Sequence, residues 1–324
     1  MTVLAGVDAA PASRDAAVLA AALCGGSPSG AGASPGGAAQ AGAAGAGAGA
    51  APGADAASPA PLLLAAVAIE PRASIGERLH RDAQAAAREQ LDDAVALLRT
   101  ECAPTAQAQF LNARSAPRAL HELAAREPTA VVVLGSSRRA REGEAFAGRT
   151  ARQVLNGAPC AIALAARGLH APDEPQPFAL RRIVVGVDGS PEAADALATA
   201  RTLAHRCGAA LHVVSVADES LPLRRAPLGE VVELAGWDEV VAQRRELAQR
   251  ILDEALAVDR PTGELRVGDP PEQLAAAAAC ADLLVIGSRQ RGALAHVVVG
   301  STAEELLRGA PCSLLLVPRP PADA

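Results

Sequence analysis

The sequence predicts an α/β protein made of two tandem domains, each an open parallel β-sheet with helices on both faces. Three observations carry this expectation. Short runs of consecutive β-branched and leucine residues alternate with helical stretches, as buried parallel strands require. The alternation is written twice in similar text. Half of the 324 residues are apolar but only 1% are aromatic, so two cores must be built from Ala, Val, Leu and Ile.

The repeat is read directly. "VLAGVDAAPASRDAAVLAAAL" from Val3 aligns with "IVVGVDGSPEAADALATARTL" from Ile183, at an offset of 180. Downstream, "VVVLGSS" matches "LLVIGSR" and "NGAPCAIAL" matches "RGAPCSLLL", at an offset of 152. About 28 residues are therefore extra in the first half. They lie in Gly25–Pro59, almost purely Gly, Ala, Ser and Pro, with nothing to bury; this reads as a disordered loop tolerated between the first helix and second strand.

Each half reads strand, helix, strand, helix, strand, helix, strand, helix, strand. In the second half the strands are "RIVVGV", "LHVVSV", a short one near "GELRV", "DLLVIG" and "SLLLVP". A helix is expected over Val231–Val258, with Val240, Leu247, Ile251 and Val258 on one face and Trp237 packed on the sheet. The Pro-rich stretch Arg167–Arg181 is the expected linker. The domains are then 1–166 and 182–318, with a tail at 319–324.

Composition excludes several function classes. No lysine occurs, so all thirty basic residues are arginines. A P-loop lysine and Schiff-base chemistry are thereby ruled out. A net charge of −6 with few aromatics argues against nucleic-acid binding. Apolar runs are too short for a membrane helix, and Met1 leads into "TVLAGVDAA" without a charged leader, so the expected compartment is the cytoplasm. Six cysteines without a C-x-x-C read as reduced, mostly buried thiols, and no metal site is expected.

The chemistry-bearing stretch is "GSRQRGALAHVVVGST", Gly287–Thr302, after the fourth strand. In such sheets ligands sit at the carboxyl ends of strands. Gly287 would let backbone approach a ligand; Gly300, Ser301 and Thr302 open the last helix, whose free N–H groups favour an anion; Arg289 and Arg291 add charge. The bland reading stands beside it: "STAE", Ser301–Glu304, and "TARQ", Thr150–Gln153, are capping-box patterns of helices that bind nothing. Asp188 is the only carboxylate expected in the crevice, for a ligand or for capping its own turn, and His296 reads as a loop histidine.

The pattern G-x-x-G, nine residues, G-[ST], with "VVGVDGSPEA" and "GAPCSLLLVP", resembles the universal stress protein family, in the tandem two-domain form of actinobacteria. The resemblance implies two Rossmann-like, adenine nucleotide alpha hydrolase-like domains, each with a five-stranded parallel sheet. It implies ATP or a related adenine nucleotide, with or without magnesium. Gly186, Val187 and Asp188 would lie against ribose and adenine, Val216 against adenine, and Gly287 to Thr302 along the phosphates.

The sequence departs from the pattern at Gln290, which stands at the second glycine; Gly292 nearby relieves some of the crowding. The first half departs further: Asp8, Gly135, Gly148 and Thr150 remain, while Arg138 and Arg149 replace a glycine and a hydroxyl. Either that half has lost nucleotide binding and serves as a structural partner, or its arginines grip phosphate anew. Family members pair last strands, so "CAIALA" and "CSLLLVP" would pair antiparallel within one chain, making a pseudo-dimer; a homodimer of such chains stays open. The expected function is a cytoplasmic stress-response regulator or sensor binding ATP in the second domain without turnover. The alternative is a pseudo-dimeric interaction module that binds no nucleotide.

Overall fold

The computed structural model describes residues 2–7, 12–25, 61–69, 77–101, 106–126, 129–156, 158–170, 178–219, 237–288 and 300–318. The first half runs β1 (Thr2–Val7), α1 (Ala12–Leu23), β2 (Leu62–Ile69), α2 (Glu77–Glu101), β3 (Gln107–Ala113), α3 (Ala116–Arg126), β4 (Thr129–Gly135), α4 (Arg149–Leu155) and β5 (Ala161–Ala165). The second runs β6 (Arg182–Val187), α5 (Pro191–Cys207), β7 (Ala210–Ala217), α6 (Trp237–Leu256), β8 (Thr262–Val267), α7 (Pro270–Ala278), β9 (Leu283–Ser288), α8 (Ser301–Leu306) and β10 (Ser313–Pro318). All five strands expected in the second half form.

One ten-stranded sheet results, in the order β3-β2-β1-β4-β5-β10-β9-β6-β7-β8. Within each half every pairing is parallel, and the chain winds first to one side and then to the other. That reversal opens a crevice between β1 and β4, and again between β6 and β9. The strands are apolar on consecutive residues because both faces are covered: Leu283, Leu284, Val285 and Ile286 of β9 are all buried. Alanine does for the helices what aromatics do elsewhere. α1 buries Ala16, Ala17, Ala20 and Ala21, whose methyl groups let the helix lie close on the sheet.

The halves meet edge to edge. β5 and β10 pair antiparallel, Ile162 opposite Leu316, Ala163 opposite Leu315 and Leu164 opposite Leu314. Each thereby covers the other's open edge. Ala166 N–H donates to Ser313 Oγ at 3.2 Å inside this seam. Beside it, Ala145 and Ala310 exchange backbone bonds of 2.8 and 2.9 Å. Arg206 Nη2 reaches from α5 to the Cys24 carbonyl at the end of α1, 2.7 Å away.

Carboxylates pin both ends of the connecting stretch. Buried Asp15 accepts the N–H groups of Gly168 and His170 at 3.1 and 2.9 Å. Asp282 accepts those of Arg181 and Arg182 at 2.7 and 2.8 Å. The insertion from residue 26, the middle of the linker, the tail and the Trp237 side chain lie outside the described residues.

The apolar face read for α6 is corrected. Val240 and Leu247 are 39% and 51% exposed, and Val258 at 52% lies beyond the helix end; of the four only Ile251 packs on the core. α6 turns Ala248, Leu252 and Ala255 inward instead. This is a neighbouring stripe with i, i+4, i+7 spacing, which the larger exposed residues obscured.

Candidate functional site

The second-half crevice is built by strand ends. After β6 the chain turns at Asp188–Gly189–Ser190. Asp188 Oδ1 accepts the Ser190 N–H at 2.9 Å, and Gly189 takes φ +78, where a side chain would be strained and would meet Ile251. Ser190 caps α5 by accepting the Ala193 N–H at 3.2 Å, and Pro191 occupies the first helical turn. This turn sets Asp188, exposed, at the rim. Val216, half-buried, comes from the end of β7, and Gly287 from the end of β9.

Gly186, Val187, Asp188, Val216, Gly287, Gly300, Ser301 and Thr302 all line one cavity of about 700 Å³. These are all eight second-half site residues among those described. Arg289, Gln290, Arg291, Gly292 and His296 lie outside the described residues.

Two roles change. A Cβ on Gly287 would fall 2.6 Å from the Glu192 backbone, and one on Gly135 2.2 Å from the Ala12 carbonyl oxygen. The approach of helices α5 and α1 to their sheets demands these glycines by itself. Gly300, by contrast, has ordinary extended backbone, φ −66 and ψ 164. The capping-box readings also fail: the N-caps are Gly300 and Gly148, neither helix has a side-chain cap hydrogen bond, and Ser301 and Thr150 already lie inside the first turn. Glu304 pairs with Arg308 at 2.9 Å instead. With the box absent, the Ser301 hydroxyl is not committed to capping.

Asp188 is not the crevice's only carboxylate. Glu192, Asp218, Asp269 and Glu305 line it as well, against one arginine among the described residues, Arg244. Arg244 Nη1 donates to the Asp218 carbonyl at 2.7 Å. Leu274 and Ile286 supply apolar wall. Glu192 stands in the quoted strand-end motif and Glu305 on α8, where no local signal turns them inward; Asp218 and Asp269 follow β7 and β8, and nothing local tells which of Arg244 and Arg245 faces the sheet. No group of three or more potential metal ligands exists among the described residues.

The first half shows what the serine after the strand-end glycine does. Ser136 Oγ donates to the Ala165 carbonyl at 2.5 Å and accepts the Phe146 N–H at 3.1 Å, fastening the loop. Its counterpart Ser288 is buried, and its Oγ has no partner among the described residues.

The predicted first-half residues divide. Arg138, Gly148 and Arg149 line a separate cavity of about 770 Å³; Gly135 and Thr150 do not line it, and Asp8 lies outside the described residues. Among the described thiols Cys24, Cys160 and Cys312 are free and buried, Cys207 half-buried and Cys280 exposed; Cys102 lies outside the described residues. Burial pushes Cys24, Cys160 and Cys312 up to about 12.

Comparison with known proteins agrees with the glycine pattern. The model described as "Universal stress protein family" matches residues 179–318. A universal stress protein of Thermus aquaticus is 32% identical over 142 residues, covering 42% of this chain and 98% of that protein. One of Mycobacterium tuberculosis is 33% identical over 189 residues, covering 56% of this chain and 59% of that one, so the chain spans less than two thirds of this relative. Among solved structures, a universal stress protein from Archaeoglobus fulgidus superposes with a TM-score of 0.59 over 98% of both chains at 14% identity, a likeness of fold. The chain belongs to the universal stress protein family.

Proposed function

We propose that the second half, residues 182–318, is a domain that holds an adenine nucleotide, ATP together with magnesium, and that the chain acts in the cytoplasm as a stress-response regulator or sensor without turning the nucleotide over. One observation carries this reading: the eight described residues expected to contact nucleotide converge from three chain segments on one cavity of about 700 Å³. That volume is in the range of small-molecule sites, with apolar wall at one part and polar backbone and hydroxyls at another. Val216, Leu274 and Ile286 suit a base, Asp188 a ribose hydroxyl, and Gly300 to Thr302 phosphate oxygens.

The carboxylates make magnesium part of the reading. Among the described residues Asp188, Glu192, Asp218, Asp269 and Glu305 line the cavity with only Arg244 opposed. A bare triphosphate would be repelled, whereas its magnesium complex carries less charge. Membership of the family supports the stress-response role. The remaining boundaries go with this reading: 1–166 as the first domain, 167–181 as linker.

Thermal unfolding with and without magnesium ATP tests it. A ligand that binds the native state raises the midpoint. Gly300→Leu should fill the cradle without adding charge, and its extended backbone accepts leucine without strain. A midpoint raised in the parent but not in this variant supports the reading. A second reading, a pseudo-dimeric module that binds no nucleotide, is favoured by Gln290 at the second-glycine position. An unchanged midpoint in the parent would favour it.

A further inference from the structure

The first half carries a site of opposite character. Its cavity of about 770 Å³ is lined by Arg138, Arg139, Arg149 and Arg152, with Ser137 and Gln153, and no carboxylate among the described residues lines it. None of the four guanidinium groups has an ion-pair partner among the described residues, although the chain as a whole is acidic at −6. Four unpaired like charges around one concavity repel one another, and an anion relieves that repulsion.

Sequence makes the arrangement specific. At the offset of 152, Ser301-Thr302-Ala303-Glu304-Glu305 of α8 corresponds to Arg149-Thr150-Ala151-Arg152-Gln153 of α4. Two carboxylates have gone and two guanidiniums have arrived on an otherwise matching helix. The turn carrying Arg138 and Arg139 is firmly built. Ala140 N–H donates to the Ser137 carbonyl at 2.9 Å and Arg139 N–H to Ser137 Oγ at 3.3 Å, while Arg167 Nη1 binds the carbonyls of Arg138 and Ala140 at 3.3 and 3.0 Å. Arg138 and Arg139 thus project from a fixed frame, not from a loose arm.

We propose that this cavity is a second, independent site that binds a compact anion with several phosphate groups, gripped by Arg138, Arg139, Arg149 and Arg152 through their planar forks. Recognition is of phosphate rather than base. Phe146 and Ala147 are its apolar lining, and none of the described residues at the ends of β1 or β2 reaches it.

The test titrates sodium tripolyphosphate by calorimetry into the full chain carrying Gly300→Leu, so that the second-half crevice does not contribute. Binding of one anion per chain is expected. The double substitution Arg149→Ser with Arg152→Glu, which copies the second half, should weaken it at least roughly tenfold, since a lost charged hydrogen bond costs about that factor. Arg138→Gln with Arg139→Gln, in an exposed turn, should weaken it comparably and guards against a folding defect at α4. Orthophosphate should bind more weakly than tripolyphosphate. Equal affinity in all these proteins, or tripolyphosphate binding by the parent that Gly300→Leu abolishes, would overturn the proposal. A twenty-nucleotide single-stranded DNA that binds better than tripolyphosphate would also overturn it. The nucleotide reading is tested separately, because magnesium ATP binding should survive the arginine substitutions.

Discussion

The two halves share strand order and helix placement, yet their strand-end cavities carry opposite charge. Among the described residues, five carboxylates and one arginine line the second, and four arginines and no carboxylate line the first. Positions that the packing dictates stayed fixed, Gly135 with Gly287 and Ser136 with Ser288. Positions that line the cavity in both copies differ, Ser301 against Arg149 and Glu305 against Gln153. A glycine kept in both copies is therefore weak testimony for a ligand, and the residues beside it are better testimony.

The largest effect should come from the paired glycines. Gly135→Ala and Gly287→Ala each push a methyl group into helix backbone, and each should cost about 3 kcal/mol in denaturant unfolding. If Gly287→Ala stays stable and loses only nucleotide binding, the glycine serves the ligand after all.

The linker ends should differ next. Asp15→Ala removes a buried carboxylate accepting two N–H groups and should cost roughly 2–3 kcal/mol, whereas Asp282→Ala, whose partners are exposed, should cost about 1 kcal/mol. Equal losses would mean that the halves grip the linker alike.

Chelating magnesium should weaken ATP binding in the acidic crevice on the order of tenfold, and leave tripolyphosphate at the arginine cavity unweakened. Calorimetry with and without EDTA separates the two.

A pH dependence sets both halves together, because it acts on buried thiols in each. Cys24, Cys160 and Cys312 sit near 12 when folded, against 9.0 ordinarily, because burial disfavours the thiolate. Unfolded thiols ionise first, so stability should hold below about pH 9 and fall above it, by up to about 1.4 kcal/mol per pH unit for each thiol. Unfolding midpoints at pH 8 and pH 10 check this. In the native state Cys280 should be alkylated before these three.

Much of this was legible in the text of the chain. Consecutive apolar runs marked four of the five second-half strands, β8 being the exception, and the repeat implied two sheets. The eight residues lining the second crevice followed from strand ends and glycine spacing. What stayed hidden depends on tertiary geometry. Of the inward residues of α6, Ala248 and Ala255 are small and leave Leu252 as the one large marker of that face, so the exposed Val240 and Leu247 outweighed them in the reading. The carboxylates Asp218, Asp269 and Glu305 converge only when three separate helices and loops meet. The capping boxes failed because both helices start one or two residues earlier than the hydroxyl pattern suggests.

The most direct test of a nucleotide site in one half and an anion site in the other is a crossed calorimetric titration of magnesium ATP. The proteins are the parent chain, Gly300→Leu, and the Arg149→Ser, Arg152→Glu double variant. Magnesium-dependent binding of about one ATP per chain is expected for the parent and the arginine variant; Gly300→Leu should lose it and keep only the magnesium-independent phosphate binding of the arginine cavity. No magnesium-dependent binding to the parent, or such binding lost in the arginine variant and kept in Gly300→Leu, would contradict a nucleotide site in the second half.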